Sequence, residues 1–239
     1  MANTFFRMKQ FTIEQDLCAM KVCTDACMFG AWVAQWLSAK KNIHSILDIG
    51  AGTGLLSMML AQKTAASITA IELDTNAALQ AAQNFATSPW PQRLSVQQEN
   101  ILSFHPATPF DFIISNPPFF ENDLKSIATN RNMAMHSNSL RLDELLQWIS
   151  AHLCANGYAA ILVPYHRSAY THDLILKNEM YPCHILHVRQ SVQHDVFRSQ
   201  FIFSKQQQPC HTDSMAILNE QKQYSPEATA LLKDYYLYL

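Results

Sequence analysis

From residue 45 onward, short runs of aliphatic and β-branched residues alternate with stretches in which apolar residues recur every three or four positions. That alternation predicts βαβ units on a parallel sheet. Strands are expected at Ser45 to Ile49, Ser67 to Leu73, Leu94 to Gln98, Phe110 to Ser115 and Tyr158 to Val163. A helix should begin near Leu55, with Leu55, Leu56, Met58, Met59 and Leu60 turned to the sheet. Asp74 or Thr75 can cap a second helix that reaches about Ala86. Leu142, Leu145, Leu146, Ile149 and Leu153 share one face of a third, with Gly157 placed as its C-cap. A fourth helix runs from Arg167 to about Met180 and leads to a closing pair of strands, His184 to Arg189 and Arg198 to Ser204. Their connection is too short for a parallel crossover, so the last strand should be antiparallel. The expected class is therefore α/β: a Rossmann-like, mostly parallel seven-stranded sheet with helices on both faces and one antiparallel strand.

Two segments fall outside the alternation. Residues 1–44 form an N-terminal extension, a candidate lid, with a helical stretch around Ala26 to Leu37. Residues 45–239 form the main body, and the whole is expected to be a single domain. Phe120 to Ser139 is twenty polar, irregular residues. Loops of that length are usually functional or disordered, and its place directly after Asn116-Pro117-Pro118-Phe119 favours a substrate-facing loop.

Composition narrows the function. With 49% hydrophobic and 15% charged residues, the 239-residue chain can build a substantial core and is not a disordered one. Its net charge of −2 excludes a general polycation, so any nucleic-acid contact must come from local patches. Residues 1–47 and 160–205 each carry five basic against three acidic residues. Arg7, Lys9, Arg167, Arg189 and Arg198 are the phosphate-contact candidates there, with solvated surface charge as the plainer alternative. Six cysteines without a CxxC pair read as free thiols, and no metal is expected. Charges interrupt the first sixteen residues and no apolar run could span a bilayer. A cytoplasmic monomer with no membrane contact and no obligate protein partner is expected.

Glycine is scarce, five in all, yet Gly50, Gly52 and Gly54 fall together in Asp48-Ile49-Gly50-Ala51-Gly52-Thr53-Gly54. Such a strand-to-helix loop lets a ligand approach the backbone. Leu55 stands where a dinucleotide fingerprint wants a small residue, which disfavours a pyrophosphate. Glu72, 22 residues after Gly50, can accept both hydroxyls of a ribose. A ribose-binding acid without a pyrophosphate cradle describes S-adenosylmethionine. Asn100 can offer an oxygen to an adenine amino group, or simply form a turn.

The tetrad at the end of the fourth strand carries the chemistry. Pro117 and Pro118 lack N–H groups and hold the chain extended. The Asn116 side chain and the Pro117 carbonyl can then grip the hydrogens of a planar amine, steering its lone pair toward a methyl donor. Phe119 offers a face for stacking; Phe120 reads equally as stacking or core.

These residues resemble class I S-adenosylmethionine-dependent methyltransferases that modify planar amino groups. Phe11, Asp16 to Val22, Thr24-Asp25, Gly30-Ala31-Trp32, Asp48 to Leu56, Ser88-Pro89-Trp90, Ile114 to Phe119, Tyr224-Ser225, Tyr236 and Leu237 are similar to the bacterial tRNA adenine-N6 methyltransferases that act on valine tRNA beside the anticodon. The resemblance implies S-adenosylmethionine as cofactor, its homocysteine product, and tRNA as partner. It implies a cofactor set of Thr24, Asp25, Asp48, Gly50, Gly52, Gly54, Glu72, Leu73, Asn100, Ile101 and Asn116, and an RNA-facing set that adds Phe119, Phe120, Arg131 and His136 to the basic candidates. Five positions depart from the family pattern: Cys23 and Ala26 replace glycines, Phe119 a tyrosine, Asn100 an aspartate and Met135 an arginine. Glutamine-N5 methylation of a protein and guanine-N2 methylation of ribosomal RNA use the same planar nitrogen chemistry. A binding module without turnover is the non-enzymatic alternative.

Overall fold

The apolar runs of the sequence pair into one twisted sheet whose two faces bury separate cores. The computed structural model describes residues 3–118 and 140–239. In chain order the elements are β1 (Phe5–Arg7), β2 (Thr12–Glu14), α1 (Thr24–Ser38), β3 (Ser45–Ile49), α2 (Leu55–Ala61), β4 (Ser67–Glu72), α3 (Thr75–Thr87), β5 (Leu94–Gln98), β6 (Phe110–Ser115), α4 (Leu142–His152), β7 (Leu153–Pro164), α5 (Ser168–Lys177), β8 (Tyr181–Ser191), β9 (Val196–Ser204), β10 (His211–Leu218) and α6 (Pro226–Leu232). The main sheet runs β10-β8-β9-β7-β6-β3-β4-β5, and β9 alone is antiparallel to its neighbours. β1 and β2 form a separate antiparallel pair.

Side chains alternate across the strands, so β6 sends Phe112 and Ile114 to one core and Ile113 to the other. The first core gathers α1, α2, α3 and α6, and Met8, Phe11 and Ile13 of the N-terminal segment join it. The second lies beneath α4 and α5, around Leu145, Ile149, Ile175, Phe201 and Phe203. Two buried amides stitch the N-terminal segment to α3. Asn84 accepts from the Glu14 N–H at 2.9 Å and donates to the Glu14 and Thr53 carbonyls, and Gln80 accepts from the Leu17 N–H at 2.9 Å.

The fold class is the expected one, with two differences in detail. The sheet has eight strands rather than seven. The added edge strand, β10, opens with four exposed residues and buries only Met215 and Ile217, so its inward alternation is too short to stand out. Gly157 is not a helix cap: α4 ends at His152 and the chain passes directly into β7. There Gly157 faces the irregular pairing between Phe110 and Phe112, where a Cβ would lie 3.0 Å from the Asp111 carbonyl oxygen.

The connection from β5 back to β6 crosses to the other side of β3, so chain order reverses between β3 and β6. Open α/β sheets bind ligands at such a reversal, outside the carboxyl ends of the strands.

Candidate functional site

Asp48, within β3, is wholly buried. Its Oδ2 accepts from the Ser57 N–H at 3.1 Å and the Ser57 hydroxyl at 2.7 Å. Its Oδ1 has no partner among the described residues. Burial pushes the carboxyl up to about 6; the Ser57 bonds oppose this and the Glu72 charge adds to it.

Past β3 the chain turns over the end of β4, the Gly50 N–H donating to the Ile71 carbonyl at 2.8 Å. Gly50, Gly52 and Gly54 have φ of +71°, +56° and +80°. They serve different ends. A Cβ on Gly50 or Gly52 would meet nothing within 4 Å, so these two face open space, whereas one on Gly54 would strike the Phe85 ring at 2.4 Å. Glu72 ends β4 and closes the loop: Oε2 accepts from the Gly52 N–H at 2.8 Å and Oε1 from the Asp74 N–H at 2.9 Å. Cys18 is buried near Glu72, whose negative charge adds to burial in pushing its thiol up to about 11. The N-terminal segment thus flanks the same end of the sheet. Leu73 is exposed and Ile101 is buried. Asn100, at the end of β5, uses its Oδ1 to accept from the Leu102 N–H at 3.0 Å, the turn-forming alternative.

The Ser115 hydroxyl donates to the Ile49 carbonyl at 2.9 Å, and the two residues pair in the sheet. Gly50 and Asn116 are the residues that directly follow this last pair of β3 and β6, at the reversal of strand order. Pro117 is buried and Pro118 exposed. Phe119, Phe120, Arg131 and His136 lie outside the described residues.

Thr24 and Asp25 open α1. The Thr24 side chain is hydrogen-bonded to the Tyr236 hydroxyl. Asp25 Oδ2 accepts from Arg198 Nε at 2.8 Å and Oδ1 from the Ala26 N–H at 3.1 Å. Burial works to raise this carboxyl, but hydrogen bonds from Cys23 and Arg198 and the guanidinium charge hold it below the usual range.

The Methyltransferase small domain matches residues 31–148. The chain is 38% identical over 255 residues to the tRNA1(Val) (adenine(37)-N6)-methyltransferase of Cytophaga hutchinsonii, covering 100% of both chains. It is 36% identical over 240 residues to the protein of that name from Bacteroides fragilis, covering 99% of each. The chain belongs to the tRNA1(Val) (adenine(37)-N6)-methyltransferase family. Among solved structures, a predicted O-methyltransferase from Agrobacterium tumefaciens superimposes with a TM-score of 0.66 at 17% identity, over 87% of this chain and 95% of that one. The ribosomal protein L11 methylase of Lactobacillus delbrueckii gives 0.54 at 17% identity, over 77% and 79%. At those identities they share the fold.

Two positions at the start of α1 where the resemblance implies glycine have a simple physical account. Cys23 sits in extended backbone (φ −128°) and Ala26 within the helix, conformations open to any residue. Replacing glycine there strains nothing. The basic candidates divide into three settings. Arg7 and Lys9 are exposed on the N-terminal strand pair, and Lys9 donates to the Lys233 carbonyl at 2.6 Å. Arg198 is half-buried against Asp25. Arg167 and Arg189 stand at the carboxyl edge near the ends of β7 and β8. Ser57, Ser115, Gln80 and Asn84 escaped sequence reasoning. Their one signal is a polar residue inside an otherwise apolar run, which does not separate a structural hydrogen bond from an exposed position.

Proposed function

We propose that this chain transfers a methyl group from S-adenosylmethionine to the exocyclic N6 of an adenine in tRNA, the adenine at position 37 beside the anticodon of a valine tRNA. The observation that carries this reading is that the glycine loop and Asn116 both leave the sheet directly after the Ile49–Ser115 pair, at the reversal of strand order, with Glu72 bonded to that loop. Full-length similarity to relatives named for that reaction supports the substrate.

The residues present fit the cofactor. Two open glycine positions give it space, Glu72 places a carboxylate at the ribose end, and the unpartnered Asp48 oxygen is a buried acceptor beside the loop. When bound, S-adenosylmethionine supplies an electrophilic methyl on a sulfonium and departs as S-adenosylhomocysteine, chemistry that needs no metal. Asn116 and the Pro117 carbonyl accept the hydrogens of the target amine and aim its lone pair into the crevice. Neither proline can donate a competing hydrogen bond. No base need act first, because the amine becomes acidic as the new N–C bond forms. Its proton then leaves to solvent or a hydrogen-bonded acceptor. Held in line, such groups gain several kcal/mol from positioning and preorganised dipoles. A target already unpaired in a loop costs less to bring into the pocket than one flipped from a duplex. Within this reading, the segment from Glu14 to Asp25 covers the ribose end of the cofactor cleft, pinned at Glu14 by Asn84 and at Leu17 by Gln80. In this reading the protein meets its tRNA in the cytoplasm and acts as a monomer.

The test is to incubate the protein with S-adenosylmethionine and unmodified valine tRNA, then analyse the nucleosides by mass spectrometry. N6-methyladenosine mapped to position 37 is expected. N2-methylguanosine, or methyl recovered only on a protein glutamine, would contradict the reading.

A further inference from the structure

On the face that carries α4 and α5, helical cover stops short of the sheet edge. α5 packs on β7 and β8, while Thr212 and Ser214 of β10 remain exposed. A groove of about 560 Å³ follows this border, its walls including Tyr165, His166, His172, His187, Phe201 and Thr212. Register puts His187 level with Ser199 on β9 and Ser214 on β10, and its Nδ1 is hydrogen-bonded to the Ser199 hydroxyl at 2.9 Å. The Tyr165 ring meets the His187 ring edge-on at 5.2 Å and 87°, and Tyr165 is 45% exposed. Two residues further along β8, Arg189 continues the same face, level with Ala216. Arg167 flanks the groove beside its wall residues His166 and Ser168. Asp173 is the one carboxylate in the lining; its side chain is 82% exposed, 3.8 Å from His172.

This groove opens at the catalytic edge. Ser115 pairs with Ile161, so Asn116 stands level with Leu162. Pro164, the last residue of β7, lies two residues beyond that level, roughly 7 Å along the strand, and Tyr165 follows it at the start of a 3-10 turn.

We propose that the groove holds the nucleotides flanking the target adenine, with Tyr165 stacking a base and Arg189 holding a phosphate. The proposal rests on the RNA-methylating reading above and adds where the rest of the loop lies. Single-stranded nucleic acid is bound by aromatic faces set along cationic groups; Tyr165 supplies an exposed ring in the lining, and Arg167 and Arg189 adjoin it in sequence and on the strand face. Its walls offer hydroxyls and imidazoles rather than the aliphatic stripe that seats a protein helix. Burial lowers the His187 titration, so its ring serves as a neutral hydrogen-bonding group and the charge comes from the arginines.

Binding of full-length unmodified valine tRNA is measured by fluorescence anisotropy for the wild type, Tyr165→Ala, Tyr165→Phe, Arg189→Ala and Ser214→Glu, with KM for the RNA alongside. Tyr165→Ala and Arg189→Ala should each raise Kd and KM about five-fold or more, and Tyr165→Phe should retain affinity. Arg189→Ala should also reduce the slope of log K against log salt by about one. Ser214→Glu, on an exposed strand position that folding tolerates, should weaken binding through repulsion of the backbone phosphates. Affinity for S-adenosylmethionine should be the same in all five. If the wild type methylates the tRNA while every variant binds it within two-fold of wild type, the groove assignment is overturned. If the wild type neither binds nor methylates tRNA, the functional reading fails and takes the assignment with it.

Discussion

The two halves of the sheet's carboxyl edge are built by different means. Over β3, β4 and β5 the site is made of backbone: three glycines with positive φ, N–H groups donating to Glu72, and a buried Asp48 beneath them. Over β7, β9, β8 and β10 the proposed RNA groove is made of side chains that converge from distant positions, such as Tyr165, His187 and Thr212. The first half is fixed by a short stretch of sequence and suits a cofactor that never changes. The second depends on long-range strand pairing and can vary with the substrate while the loop stays the same.

Substitutions that strain one half and spare the other sharpen the contrast. Gly54→Ala should have the largest effect on stability. Its Cβ would lie 2.4 Å from the Phe85 ring at a φ of +80°. Overpacking and left-handed strain together should cost about 3 kcal/mol or more. In a thermal melt that is a fall of roughly 6–12 °C. Gly52→Ala has open space around it and should cost only about 1 kcal/mol, from backbone strain alone. Equal losses in the two variants would mean that the loop glycines share one role.

Asp48→Asn tests the buried carboxylate. In the unfolded chain this group loses its proton near the ordinary 3.8, but in the fold it keeps it to about 6. The wild type should therefore lose stability as pH rises through that window, by up to about 3 kcal/mol. The asparagine variant should show a flatter profile by chemical denaturation at pH 4 and pH 7. Parallel profiles would remove the buried charge from the account.

In the second half, Arg198→Ala breaks the pair with Asp25, whose side chains are 27% and 17% exposed. Partial solvent screening reduces the cost of a broken buried pair to about 1–2 kcal/mol. A double-mutant cycle with Asp25→Asn measures the coupling; additive losses would show that the pair contributes nothing as a pair.

How much of this was legible in the sequence follows the same division. Ser45–Ile49 and Phe110–Ser115 announce themselves because both faces of a central strand are buried and its residues are mostly apolar. The glycine loop, Glu72 and Asn116 stand out as candidates because each is marked by local spacing. β10 could not, since only two of its eight residues are buried and its partner is 27 residues upstream in register. Gly157 misled for a related reason. Its role is a close approach to Asp111, 46 residues away, and nothing near it in sequence reports that contact. The pairing of Arg198 with Asp25 is likewise invisible at a separation of 173 residues.

The most direct measurement compares Asn116→Ala with Glu72→Ala, using calorimetry for S-adenosylmethionine affinity and single-turnover methylation of valine tRNA. Asn116→Ala should lower the transfer rate about 100-fold or more, with cofactor affinity within a few-fold of wild type. Glu72→Ala should weaken cofactor binding itself by about 1–3 kcal/mol. An identical pattern of loss in both variants would contradict the division of the crevice into a cofactor side and an amine side.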